Sequence, residues 1–212
     1  MKKGIIFDMD GTLWDSAQGV AGSWNQVIQS HGIPRDELTA EDIHGVMGKT
    51  MDVIAEILFP MVEKEERGKL LAECCRKENE YLSGHGGVLY PKLKETLDLL
   101  KQKYPLYIVS NCQSGYIEAF LSYYGMEGFF EDTECFGNNG NQKGENIALL
   151  CRRNELTDAV YVGDIQGDYD ASMQAGVRFI HAEYGFGTIN TTVPKIRCFE
   201  ELPQVIEELW GE

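Results

Sequence analysis

No stretch of the sequence approaches the roughly 18 consecutive apolar residues that a membrane-spanning helix needs. The opening Met1-Lys2-Lys3-Gly4-Ile5-Ile6-Phe7 is too short an apolar run for a signal peptide. Basic residues are scarce: 19 Lys and Arg stand against 34 Asp and Glu, a formal charge of −15. That balance argues against a nucleic-acid polymer as partner, since a phosphate backbone is held by clustered cations. It argues equally against an anionic membrane surface. The six cysteines contain no CxxC pair and suggest no disulfide framework, so they read as reduced thiols of a cytoplasmic protein. No GxGxxG follows a candidate strand, which removes the dinucleotide-binding fingerprint. What is present is 212 residues with 43% apolar and 25% charged content, an ordinary globular composition with enough chain for a real core. The acidity also sets a question, because such a chain repels an anionic substrate unless a cation mediates.

Short apolar runs at Gly4–Phe7, Leu106–Val109, Ala159–Val162 and Val177–Ile180 read as buried strands, with weaker candidates at Thr133–Phe136 and Ile196–Phe199. Between them lie helical patterns: Leu93, Leu97 and Leu100 behind Pro91; Ile117, Phe120 and Leu121 before Gly125; Ile147, Leu149 and Leu150; and Val205, Ile206 and Leu209. Strands alternating with helices from about residue 90 predict an α/β fold, a doubly wound, mostly parallel sheet. Residues 16–84 differ. Trp24 and Ile28, then Val53, Ile54, Ile57 and Leu58, then Leu70, Cys74 and Leu82 recur at helical spacing with no convincing strand among them. The expected organisation is a core of residues 1–15 and 85–212 with a helical insert over 16–84. Hinges are expected near Asp15–Gly19 and Ser83–Gly87.

Three of the strands run directly into polar, reactive residues. Gly4–Phe7 ends in Asp8-Met9-Asp10-Gly11-Thr12, Leu106–Val109 in Ser110-Asn111, and Ala159–Val162 in Gly163-Asp164 with Asp168 four residues on. In a parallel sheet these ends share the edge where open α/β sheets bind ligands. Two carboxylates at i and i+2 before a glycine let one face a substrate while the other serves as proton donor or base. Five acids and no Lys or Arg fall between Glu155 and Asp170, and beside the 8/10 pair such a cluster repels itself without a cation. Oxygen ligands of this kind suit Mg²⁺.

These residues resemble the motifs of the haloacid dehalogenase-like superfamily. Asp8-Met9-Asp10-Gly11-Thr12-Leu13 is similar to its first motif, DxDGT; Ser110 to its second; Lys143 to its third; and Gly163-Asp164-Ile165-Gln166-Gly167-Asp168 to its fourth, GDxxxD. The helical insert resembles the C1 cap of the phosphoglycolate phosphatase-like and β-phosphoglucomutase-like branch, and Tyr184-Gly185-Phe186-Gly187 resembles that branch's loop after the fifth strand. The resemblance implies a nucleophile at Asp8, an acid–base at Asp10, and Mg²⁺ held by Asp8, the Asp10 carbonyl and Asp164. It implies phosphoryl-oxygen donors at Thr12, Ser110 and Asn111, a fixed positive charge at Lys143, and Asp168 as the group orienting Lys143 or a metal-bound water.

The family often has Lys-Pro at the third motif, whereas Gly144 follows Lys143 here, after the Gly- and Asn-rich stretch Gly137–Gln142; Lys143 is nonetheless the one lysine between residues 104 and 194. In the insert, Gly45-Val46-Met47-Gly48-Lys49 resembles the cap loop that faces the active site, which makes Lys49 a candidate for a substrate carboxylate or hydroxyl. Trp14, Trp24, Cys74 and Cys75 read as packing residues, and His31 and His85 as loop residues. The expected activity is Mg²⁺-dependent hydrolysis of a small phosphomonoester by a monomer or homodimer, with phosphoglycolate, a sugar phosphate or a nucleoside monophosphate as admissible substrates. The rivals are a phosphosugar mutase of the same branch and a catalytically idle binding protein on the same scaffold; loss of Asp8 or Asp10 would mark the latter, and both are present.

Overall fold

The structure is a computed structural model that describes residues 2–211. In chain order the elements are β1 (Lys3–Phe7), β2 (Trp14–Asp15), α1 (Ala17–Ser30), α2 (Ala40–His44), α3 (Met51–Leu58), α4 (Lys64–His85), β3 (Val88–Leu89), α5 (Leu93–Leu100), β4 (Leu106–Ser110), α6 (Tyr116–Tyr124), β5 (Asp132–Cys135), α7 (Phe136–Asn139), α8 (Lys143–Arg153), β6 (Asp158–Gly163), α9 (Gln166–Ala175), β7 (Arg178–Ala182), β8 (Lys195–Ile196) and, after a 3₁₀ turn at Phe199–Glu201, α10 (Leu202–Trp210).

Six strands form one sheet in the order β5-β4-β1-β6-β7-β8, every neighbouring pair parallel. Side chains alternate across its two faces, as the two-residue strand period requires. Ile5, Phe7, Ile108, Val162 and Ile180 join the core on one face, with Leu97 of α5, Phe120 of α6 and Ile206 of α10. Ile6, Tyr107, Val109, Tyr161 and Phe179 fill the other, with Ile147 and Leu150 of α8 and Ala171 of α9. Helices therefore cover both faces, and continuous apolar strands such as β4 are buried along their whole length. The chain builds outward from β1 to β4 and β5, then returns across β1 to β6, so the strand order reverses around β1. The crevice at such a reversal is where doubly wound sheets bind ligands.

Helices α1 to α4 make up the insert. Trp24 stacks on Phe59 with ring centroids 6.0 Å apart, and Leu70, Cys74 and Leu82 of α4 complete the buried seam. Val53 and Ile57, expected on the apolar face of α3, are instead 38% and 49% exposed, because Ile54, Ala55 and Leu58 fill the buried side of that helix.

The two crossings between insert and sheet pair as a short antiparallel ribbon, Trp14 with Leu89 and Asp15 with Val88. This ribbon is too short to register as alternation in the sequence. Helix α4 runs through Ser83–His85, so His85 belongs to a last helical turn rather than a loop, and the chain breaks at Gly86, whose φ is +66°. On the other side α1 begins at Ala17, which leaves Gly19 inside a helix. The expected strand at Ile196–Phe199 shortens to Lys195–Ile196. Phe199 turns into the 3₁₀ segment and packs on Phe7 at 5.9 Å.

Candidate active site

Strand register assembles the site. Phe7 lies opposite Ile108 on one side and Val162 on the other, so the residues that follow each strand leave the sheet together. The Asp8 N–H donates to the Val162 carbonyl at 2.9 Å, which fixes Asp8 against the strand that leads into Asp164. Beyond it the chain folds back sharply, with the Met9 carbonyl accepting from Thr12 at 3.2 Å and Leu13 at 2.8 Å. Gly11 is required in this turn. Its φ is +80°, and a Cβ there would lie 2.1 Å from Asp164 Oδ2.

Lys143 opens α8, where Gln142 and Glu145 form a capping box, so the Gly- and Asn-rich approach still ends in a defined helix start. Gly144 lets α8 approach α9, since a Cβ there would meet the Gln174 side chain at 2.5 Å. The Lys143 ammonium, only 4% exposed, lies 3.0 Å from Asp8 Oδ1 and 2.6 Å from Asp168 Oδ1. Burial alone would lower its pKa, but the Asp168 and Asp8 carboxylates outweigh that and hold it above the ordinary lysine range. Asp168 is fully buried and also accepts from the Asp164 and Ile165 N–H groups at 3.0 and 3.1 Å, capping α9. It thus fixes both the lysine and the loop that carries Asp164.

Asp10 stands apart from this ion-paired cluster. Its Oδ1 accepts from Tyr116 Oη at 2.7 Å and Ser16 Oγ at 2.8 Å. Burial pushes its pKa up to about 7, against the lowering effect of those two donors. Burial likewise carries Asp8 up to about 6, with Lys143 opposing and Asp168 adding to the rise. Asp164 rises to about 8, through burial and then the charges of Asp168 and Asp8, although the Phe186 N–H donates to its Oδ2 at 2.7 Å. Neither Tyr116 nor Ser16 stands out in the sequence, whereas Phe186 lies in the Tyr184–Gly187 loop already noted there. The Tyr116–Asp10 contact joins positions 106 residues apart, and no local spacing encodes it.

Among the described residues, the buried Thr12 Oγ1 and Asn111 Oδ1 have no hydrogen-bond partner. A buried hydroxyl without a partner is costly, and Thr12 Oγ1, in the turn that follows Asp8, is suited to donate to a ligand oxygen. Ser110 is buried at the end of β4. Asn111 is partly committed elsewhere, because its Nδ2 donates to the Gly48 carbonyl of the insert at 2.9 Å. Gly48 has φ +80°, and a Cβ on it would strike Ile165 Cδ1 at 2.3 Å. The expected 45–49 loop therefore does press on the sheet edge, at Asn111 and Ile165. It helps to enclose a pocket of about 50 Å³, lined by Asp10, Ser110 and Asn111 from the sheet edge and by Trp24, Lys49 and Glu78 from the insert. Lys49 is exposed at its edge, whereas Glu78 is buried.

One carboxylate oxygen from each of Asp8, Asp164 and Asp168 can be chosen so that all three lie within 4.8 Å of one another, all buried. Asp168 is already engaged by Lys143 and two N–H groups, which leaves Asp8 and Asp164 as the pair whose mutual repulsion a cation would relieve. Gly11 and Gly185 press against Asp164 from either side; a Cβ on Gly185 would come within 2.4 Å of the Gly11 carbonyl oxygen. A compact, all-oxygen donor set of this kind fits Mg²⁺.

The chain is similar along most of its length to known proteins. It is 28% identical over 195 residues to a phosphoglycolate phosphatase of Vibrio parahaemolyticus, covering 86% of this chain and 84% of the relative. It is 26% identical over 198 residues to a phosphoglycolate phosphatase of Aquifex aeolicus, covering 90% and 89%. In fold it matches the structure of a predicted phosphoglycolate phosphatase from Haemophilus somnus, with TM-score 0.80 at 23% identity over 97% of this chain and 98% of that one. It also matches a haloacid dehalogenase-like family protein from Streptococcus pneumoniae, with TM-score 0.80 at 20% identity over 96% and 98%. Residues 5–182 match the haloacid dehalogenase-like hydrolase family. Together with Asp8, Lys143, Asp164 and Asp168 meeting at one sheet edge, this shows that the chain belongs to the haloacid dehalogenase-like hydrolases, as an enzyme of their phosphoglycolate phosphatase-like branch.

Proposed function

We propose that the protein hydrolyses a small phosphomonoester with Mg²⁺ as cofactor, through a phosphorylated Asp8. The observation that carries this reading is the separation of two carboxylates by environment. Asp8 is ion-paired to Lys143 at 3.0 Å, while Asp10 is held by Tyr116 and Ser16 at a pKa of about 7. A pair of acids pushed to different tasks marks a nucleophile and an acid–base.

In the first step an Asp8 oxygen attacks phosphorus and the bond from phosphorus to the leaving-group oxygen breaks. Asp10 gives its proton to that oxygen. In the second step Asp10 takes a proton from water, whose oxygen attacks phosphorus. The bond to Asp8 then breaks and inorganic phosphate leaves. A pKa of about 7 suits Asp10 to both halves near neutral pH. Lys143 keeps Asp8 ionised and offsets charge on the phosphoryl oxygens, and Thr12 Oγ1 and Ser110 donate to those oxygens. Asp168 holds Lys143 in place. Mg²⁺, held by Asp8, Asp164 and the Asp10 carbonyl, would supply charge neutralisation between nucleophile and phosphate.

The insert, Ala17–His85, acts as a cap that closes over the pocket and excludes bulk water, moving about Ser16 and Gly86-Gly87. The substrate is a small phosphorylated metabolite, and phosphoglycolate, which names the relatives, is one candidate. The test is phosphate release from a panel of phosphorylated metabolites with Mg²⁺. Acid quenching should trap phosphate covalently on the protein, and Asp8→Asn should abolish both the trapped phosphate and turnover, by roughly 10⁴-fold or more. Substantial turnover by Asp8→Asn would remove Asp8 as nucleophile.

A further inference from the structure

Glu78 is the one acid of the pocket that this chemistry leaves unused. It lies on the cap helix α4, far in sequence from every motif, yet it is 4% exposed and lines the same pocket as Asp10. A carboxylate is rarely buried so completely unless it is paired. Among the described residues, no Lys, Arg or His lies within ion-pair distance of it. Its Oε2 accepts from Trp24 Nε1 at 2.6 Å, and the Gln113 side chain also hydrogen-bonds to the carboxylate. Both partners line the pocket with it. The group is therefore anchored without an ion-pair partner, on the insert's side of a pocket that Asp10, Ser110 and Asn111 line from the sheet edge.

The chemistry of that position is selective. A carboxylate oxygen accepts hydrogen bonds and donates none once ionised. A hydroxyl or ammonium on the leaving group satisfies it, whereas a carboxylate brought against the ionised form of Glu78 adds like charge where no cation offsets it. Lys49 offers a positive charge, but it is exposed at the edge and solvated. We propose that Glu78 sets the substrate class: the leaving group carries a hydrogen-bond-donating hydroxyl or ammonium that Glu78 accepts, and leaving groups bearing only a carboxylate, such as that of phosphoglycolate, are rejected. This rests on the phosphomonoesterase reading above and narrows it. It also separates this chain from the activity that names its relatives.

The experiment compares kcat/KM for glycerol 3-phosphate, phosphoethanolamine and phosphoglycolate, with p-nitrophenyl phosphate as a substrate that lacks both kinds of group. The unsubstituted protein should prefer glycerol 3-phosphate or phosphoethanolamine to phosphoglycolate by about tenfold or more, the discrimination one well-placed polar contact supports. Glu78→Gln keeps an acceptor for Trp24 and removes the charge, and should shrink that ratio at least fivefold with an unchanged circular dichroism spectrum. A role confined to holding Trp24 would lower every substrate together and leave the ratio where it was, which would overturn the proposal. A preference for phosphoglycolate in the unsubstituted protein would overturn it too, whether or not the variant folds. If no ester including p-nitrophenyl phosphate is hydrolysed, the hydrolase reading fails and this proposal fails with it.

Discussion

In the proposed cycle Asp10 loses and regains a proton, and its surroundings set the pH at which it can. Tyr116 and Ser16 donate to the ionised form and hold its pKa at about 7 against a larger upward push from burial. Tyr116→Phe removes one of those donors, so the pKa of Asp10 must rise. Both limbs of the rate profile that report Asp10 should move to higher pH by about one unit. Turnover near neutrality should fall about fivefold, because the base form needed for the water step becomes scarcer. A pH–rate profile of the variant checks this; an unmoved profile with reduced kcat would mean that Tyr116 only packs against Trp14, 5.4 Å away. The pair of acids at 8 and 10 is legible in sequence because it is local. The phenol that tunes one of them is not, since fold topology alone brings residue 116 to residue 10.

The element that most constrains the site is the turn between β1 and β2. Its geometry depends on Gly11, at φ +80° with Asp164 Oδ2 2.1 Å from where a Cβ would stand. Gly11→Ala must therefore move either the turn or the Asp164 carboxylate. A displacement of about 1 Å in a catalytic group costs about 100-fold in rate. The predicted signature is a fall of that size in kcat/KM together with weaker Mg²⁺ affinity by calorimetry, since Asp164 is the group displaced. Wild-type affinity in Gly11→Ala would place the metal elsewhere. The glycine itself stands in a readable motif. Its reason, the close approach of a strand end 153 residues later, becomes visible only when β1 and β6 pair in register. The opposite holds for β2 and β3, two residues each, which carry no periodicity that a sequence can display.

At the scale of the whole molecule, acidity and stability are linked. Burial holds the folded pKa values of Asp8, Asp10, Asp164 and Glu78 at about 6, 7, 8 and 7, above the unfolded values of 3.8, 3.8, 3.8 and 4.5. An acid with a raised folded pKa favours the fold while protonated. That contribution is complete below the unfolded value and is lost as pH climbs through the folded one. The metal-free protein should therefore lose stability steadily from about pH 4 to about pH 8. Mg²⁺ bound to the ionised carboxylates, as proposed, would offset the loss and raise Tm more at pH 8 than at pH 5. Thermal melts in EDTA and in Mg²⁺ at the two pH values test this, and equal shifts at both would argue against a carboxylate site. Among the described residues no helix is long and apolar enough to cross a membrane, in keeping with the absence of any long apolar run in the sequence.

The sequence by itself determined what depends on neighbours along the chain. Short apolar runs made the strands, three- and four-residue spacing made the helices, and the DxDGT and GDxxxD arrangements identified Asp8, Asp10, Asp164 and Asp168 with the acid cluster that calls for a cation. Tertiary structure decided what depends on distance across the chain. It placed Lys143 between Asp8 and Asp168, gave Asp10 its phenol and hydroxyl, and pressed the Gly48 loop onto Asn111 and Ile165. It also buried a glutamate of the insert, Glu78, in the pocket that Asp10 lines. The physical reason is common to all of these. Burial and strand register set charge, exposure and reach, and both arise only when segments far apart in sequence pack together.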